Sequence, residues 1–83
     1  MLNTKYAREV VPPVQIRESK IERIFIKELQ QEEIRFSWWK DGRFQTRPLD
    51  LPESELLPLL LLAFERGVLS EKFKNDLITA LSK

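Results

Sequence analysis

The run Ile34-Arg35-Phe36-Ser37-Trp38-Trp39-Lys40 stops at Asp41-Gly42 and resumes as Arg43-Phe44-Gln45-Thr46-Arg47. Aromatic and β-branched residues favour strands, and Asp-Gly accepts the positive φ of a type I′ turn, so the pattern predicts a hairpin with strands over 33–40 and 43–49. A two-residue loop sets Lys40 opposite Arg43, Trp39 opposite Phe44, Phe36 opposite Arg47 and Ile34 opposite Leu49. One face then carries Ile34, Phe36, Trp38 and Leu49; the other carries Arg35, Ser37, Trp39, Phe44 and Thr46. Both faces are partly apolar. Of two adjacent indoles one can enter a core, and the other needs separate cover: a partner subunit, a nucleic-acid base or another part of the chain.

An earlier strand is expected within 20–29, where Ile24-Phe25-Ile26 is flanked by charge and followed by the polar break Gln30-Gln31. Residues 1–17 have no sustained period, and Val10-Val11-Pro12-Pro13-Val14 reads as an extended or flexible N-terminal segment because proline removes donors and restricts its neighbours. Val14 and Ile16 leave open a fourth, N-terminal strand. Asp50-Leu51-Pro52-Glu53 has the form of a helix entrance with Asp50 as cap and Ser54 as the alternative. That helix is expected to run to about residue 66, where Gly67 suits a left-handed C′ position backed by Val68. Ser70 then caps a second helix with Phe73, Leu77, Ala80 and Leu81 on one face. The expected fold is α+β: a three-stranded antiparallel sheet, the fourth strand undecided, followed by two helices, with 18–83 forming a single small domain.

The first helix is unusual. Leu56, Leu57, Leu59, Leu60, Leu61, Leu62, Ala63 and Phe64 wrap nearly all the way round it, and a helix apolar on every side is normally buried. A short sheet covers only one side, so a homodimer with Leu56, Leu57, Leu60, Leu61 and Phe64 at the interface is expected. A compact monomer, with the tail and second helix completing the cover, is the alternative.

Composition narrows the chemistry. The chain has 83 residues, no cysteine and no histidine, which excludes disulfides, thiolate zinc sites and imidazole acid/base catalysis. A chain this short buries roughly two thirds of its unfolded surface, and oligomerisation is a common remedy. Glu32 and Glu33 diverge on a strand, and Glu53 and Glu55 suit a helix entrance. Gly42 and Gly67 are the only glycines, so no glycine-rich phosphate loop exists. The chain therefore reads as a non-enzyme without cofactor, metal or small-molecule substrate. Its longest apolar run, Leu56 to Phe64 with Pro58 inside it, is far short of the about 20 residues that span a bilayer. With no signal-peptide-like start, a soluble cytoplasmic protein is expected.

Charge is uneven. Residues 1–48 hold ten Lys and Arg against seven Asp and Glu, and residues 49–83 hold four against six. The positive excess coincides with rings on the hairpin, where Arg35, Trp39, Lys40, Arg43, Phe44 and Arg47 combine cations that track phosphates with aromatics that stack on bases. A cross-strand Trp39–Phe44 pair with merely solubilising cations explains the same residues.

The stretch from Ile34 through Leu62 consists of a basic aromatic strand, Asp41-Gly42, a second basic strand, Arg47-Pro48-Leu49, Leu51-Pro52-Glu53-Ser54-Glu55 and a leucine-rich helix. It resembles the positive cofactor 4-like transcriptional coactivators. The resemblance implies a curved antiparallel sheet followed by a helix, dimerisation through the helices, and single-stranded DNA bound on the sheet in transcription regulation. It also marks Arg35, Trp39, Arg43, Phe44 and Arg47 as positions to test. The chain departs from that pattern by its second helix and by Leu56 or Leu57 where the family has a Trp after the helix cap. The functional expectation is a small module binding single-stranded DNA or RNA. The alternative is a protein-interaction or self-assembly domain with no nucleic-acid role.

Overall fold

The computed structural model describes residues 3–44 and 48–83. The chain is α+β. Among the described residues six strands, β1 (Ala7–Glu9), β2 (Val14–Ile16), β3 (Ser19–Ile26), β4 (Gln31–Lys40), β5 (Arg43–Phe44) and β6 (Leu49–Leu51), precede α1 (Glu53–Glu65) and α2 (Glu71–Leu81). They divide into a sheet unit ending at Glu53 and a helical unit beginning at Ser54.

All strand pairs are antiparallel around the long central pair β3 and β4, which is in continuous register from Ser19↔Trp38 to Ile26↔Gln31. The undecided N-terminal strand exists twice. β1 pairs with the far end of β3 (Ala7↔Ile26) and β2 with its near end (Ile16↔Ser19). Between them lie Pro12 and Pro13, whose missing donors suit a segment that steps out of a ladder. β2 and β3 are joined by Arg17-Glu18, with Arg17 left-handed at φ 56.

The Asp41-Gly42 turn forms as expected, with φ 52 and 74 and the pairs Trp39↔Phe44 and Lys40↔Arg43. Beyond it the register differs from expectation. Leu49 faces Phe36, not Ile34, and Leu51 faces Ile34, a displacement of two residues. The reason is burial: the slip brings Leu51 against Ile34, and both are buried, while Leu49 stays exposed. An even slip leaves every side chain on its face. The expected partners Gln45, Thr46 and Arg47 lie outside the described residues.

Alternation along the continuous register defines two faces. The Ile24 face carries Ala7, Ile24 and Ile26, which form the hydrophobic core of the sheet unit. The Trp38 face carries Val14, Ile16, Ile21, Phe36 and Trp38, together with Ile34 and Leu51, which are buried.

Asp50 does not cap the helix. It lies in β6, where its carboxylate accepts from Arg35 across the sheet, and α1 starts directly after Pro52. Charge pairing outcompetes capping because Asp50 stands opposite the guanidinium in register. Pro58 sits inside α1, and its missing N–H leaves the Ser54 carbonyl without the usual i→i−4 partner. The end of α1 matches expectation in detail. Gly67 is left-handed at φ 77, its N–H donates to Phe64 O, and the Val68 N–H donates to Ala63 O, which together make a Schellman motif. The Ser70 hydroxyl then accepts from the Phe73 N–H at 3.0 Å, capping α2. Phe64 and Phe73 meet with ring centroids 5.8 Å apart.

Candidate functional site

The hairpin residues singled out from the sequence divide between the two faces of the sheet. Arg35 and Trp39 occupy the Ile24 face; Lys40 and Arg43, an opposed pair at the hairpin tip, lie on the Trp38 face. Phe44 pairs its backbone with Trp39, and Arg47 lies outside the described residues.

Register explains the state of Arg35. Cross-strand neighbours on the Ile24 face place it between Glu22 on β3 and Asp50 on β6. Its Nε and Nη2 donate to the two oxygens of Asp50 at 2.8 and 2.9 Å, and the side chains are only 12% and 15% exposed. This planar fork matches carboxylate geometry. Hydrogen bonding to Asp50 holds the guanidinium above its ordinary pKa, while burial pulls the other way. Its charge is therefore neutralised within the fold. Trp39, half-buried, lies beneath the Lys20 ammonium at 5.3 Å from the ring centroid, a cation–π contact that covers one ring face.

The accessible indole is Trp38, 51% exposed. Around it on the same face stand Phe36, Ile21, Val14 and Ile16, lining a cleft of about 420 Å³ across β2, β3 and β4. Ile16 is 78% exposed and Val14 64%. The signal for Trp38 was present as the even-numbered positions of β4. The contribution of Val14 and Ile16 was hidden, since three residues of alternation do not establish a strand. Lys40 is exposed at one end of this face, and Arg17 is exposed in the β2–β3 turn.

A second cation, Arg23, bridges Glu32 at 3.0 Å and Glu53 at 2.6 Å. The hydrogen bond to Glu53, then that to Glu32, raises its pKa. The site is solvated and such pairs contribute little to stability; its effect is to fix Glu53 to the sheet.

In the helical unit no residue of α1 or α2 is buried. Leu57, Leu60 and Leu61 are exposed, as are Leu59 and Leu62, while Leu56 and Phe64 are partly covered. α1 contains Glu53, Glu55 and Glu65 and no Lys or Arg. Among the described residues no acidic cluster is arranged to hold a metal ion, and no helix is long and apolar enough to cross a membrane.

Comparison of the chain with protein-family models, with curated proteins and with solved structures gave no match.

Proposed function

We propose that this protein is a small non-enzymatic binding module that acts as a protein-interaction and self-assembly domain, joined as a homodimer through the leucine-rich α1. The carrying observation is that Leu57, Leu59, Leu60, Leu61 and Leu62 each expose more than a third of their surface, with Leu57 at 61%. Each leucine left in water forgoes roughly 1.5–3 kcal/mol, against a total domain stability of about 5–15 kcal/mol. Association that covers one stripe of α1 recovers a large part of that loss. Burial of apolar area responds weakly to ionic strength, since little charge is neutralised at the contact.

Light scattering at two protein concentrations is expected to give a dimer that persists from low to high salt. Leu60→Glu with Leu61→Glu is expected to yield monomer with the sheet intact by circular dichroism. A wild-type monomer at every concentration overturns the reading.

The second reading, single-stranded nucleic acid on the sheet, is favoured by one observation: Trp38, Lys40 and Arg43 share a face. Arg35 and Trp39 contribute less to it, being engaged by Asp50 and Lys20. Labelled oligonucleotide should then quench Trp38 fluorescence at low salt, with affinity falling steeply as salt rises. An unchanged spectrum at low salt removes this reading.

A further inference from the structure

We propose that α1 pairs antiparallel with α1 of a second copy of this chain along the stripe Glu55, Leu59, Leu62 and Arg66, setting Leu59 against Leu62 and Glu55 against Arg66 across the contact. This deepens the self-assembly reading and rests on it.

Helix geometry isolates the stripe. At about 100° per residue the four positions fall within about 60° of one another, and their spacing i, i+4, i+7 and i+11 is that of a helix seam. Arg66 belongs to it because its N–H still donates to Leu62 O at 2.9 Å, and the chain turns left-handed only at Gly67. The opposite side of α1 faces α2 of the same chain. There Leu61 and Phe64 line a groove with Leu77 and Ile78, and Phe64 meets Phe73. Glutamate at Leu61 disturbs that helical hairpin, which is how the paired Leu60→Glu and Leu61→Glu changes reach the stripe. Leu59 and Leu62 themselves are left 53% and 45% exposed.

Charge selects the occupant. A twofold axis midway between residues 60 and 61 exchanges 59 with 62 and 55 with 66, so an antiparallel second copy sets leucine on leucine and carboxylate on guanidinium, each reciprocally. A parallel copy sets Glu55 on Glu55 and Arg66 on Arg66, which repel. The same axis exchanges Pro58 with Ala63, whose short side chains flank the stripe and let the helices approach. Glu55 and Arg66 are exposed, and among the described residues neither side chain makes an ion pair or a hydrogen bond. They cannot satisfy each other within one helix, since their separation along its axis is about 16 Å. The other acids of α1 lie off the stripe: Glu53 is held by Arg23, and Glu65 lines the groove with α2.

The test is a charge swap in the full-length chain, with dissociation followed by light scattering across a dilution series at low salt. Glu55→Arg alone and Arg66→Glu alone each turn two attractive pairs into repulsive ones and are expected to weaken dimerisation about tenfold. Glu55→Arg with Arg66→Glu in one chain is expected to restore it. Rescue separates a contact between copies from an effect inside one helix: each reversal opposes the helix dipole, so intrahelical penalties add where reciprocal pairs cancel. Added salt should shrink the difference between the single and swapped variants. Leu59→Glu with Leu62→Glu is expected to abolish the dimer, and the charge variants keep the test independent of how well that apolar variant folds.

A dimer indifferent to both single reversals overturns the inference, and so does a swapped chain that associates more weakly than either single variant. A dimer that survives Leu59→Glu with Leu62→Glu overturns it as well. If Leu60→Glu with Leu61→Glu dissociates the dimer while the charge variants leave it unchanged, this inference falls and self-assembly stands through another stripe. A wild-type monomer overturns both proposals.

Discussion

Arg35 and Asp50 show how one neighbour changes what a basic residue can do. In a strand exposed to solvent Arg35 would be available to phosphates; opposite Asp50 it completes a part-buried fork. Removing one partner strands the other charge, so Arg35→Ala is expected to destabilise the sheet unit by about 2–3 kcal/mol, read from urea midpoints. Arg35→Lys should recover little of this, because a point ammonium cannot make the paired bonds. Since the guanidinium pKa is raised by folding, its share of the stability is present throughout the neutral range and is lost only as pH climbs through the raised value. The two indoles separate by the same local logic. Trp38 is half in water while Trp39 lies under Lys20, so acrylamide should quench wild-type emission largely through Trp38. Trp38→Phe should remove most of the quenchable component and Trp39→Phe should spare it. Equal losses from the two variants refute the assignment of exposure.

Turns and helix ends are governed by chemistry within a few residues, and they were the most legible elements. Asp41-Gly42, Gly67-Val68 and Ser70 each perform the expected task, because positive φ and capping need only the local residue type. Two left-handed positions make opposite predictions. At Gly67, φ 77 with open space around the missing Cβ, Gly67→Ala should cost about 1 kcal/mol of helical-unit stability through backbone strain alone. At Arg17, φ 56, Arg17→Gly should stabilise the β2–β3 hairpin by a few tenths to about 1 kcal/mol, since the strain there is already present. Thermal melts of both variants check the signs. The register of β6 was less legible. Alternation is invariant to a shift of two, so Leu49 and Leu51 fit Ile34 equally well by pattern. Asp50 likewise suited a helix cap by local grammar, and lost that role to an arginine fifteen residues away in sequence.

Across the chain, apolar residues are divided unequally. The sheet unit buries Ala7, Ile24 and Ile26 on one face; on the other it buries Ile34 and Leu51 but leaves Val14, Ile16 and Trp38 accessible. The helical unit satisfies its backbone at both ends of the turn between its helices, yet buries none of its helix residues. Secondary structure is thus complete where apolar burial is not. An isolated helix of the length of α1 is marginal in water and depends on packing of its apolar face. On the proposed self-assembly, disrupting association is therefore expected to lower helix content as well as mass, and the two signals should change together across a dilution series. Helicity that stays constant while the dimer dissociates contradicts this coupling.

The amino-acid sequence determined the α+β order, the hairpin turn, both ends of the loop between the helices and the surplus of leucine, because each depends on residue type or on a short period. Tertiary pairing decided which indole faces water, that Arg35 is neutralised, that Val14 and Ile16 join the Trp38 face, and that β6 slips by two residues. Those outcomes turn on which distant strand lies alongside. Contacts between residues far apart in the chain leave no periodic trace in either partner, and only their packing selects among arrangements that local chemistry permits equally.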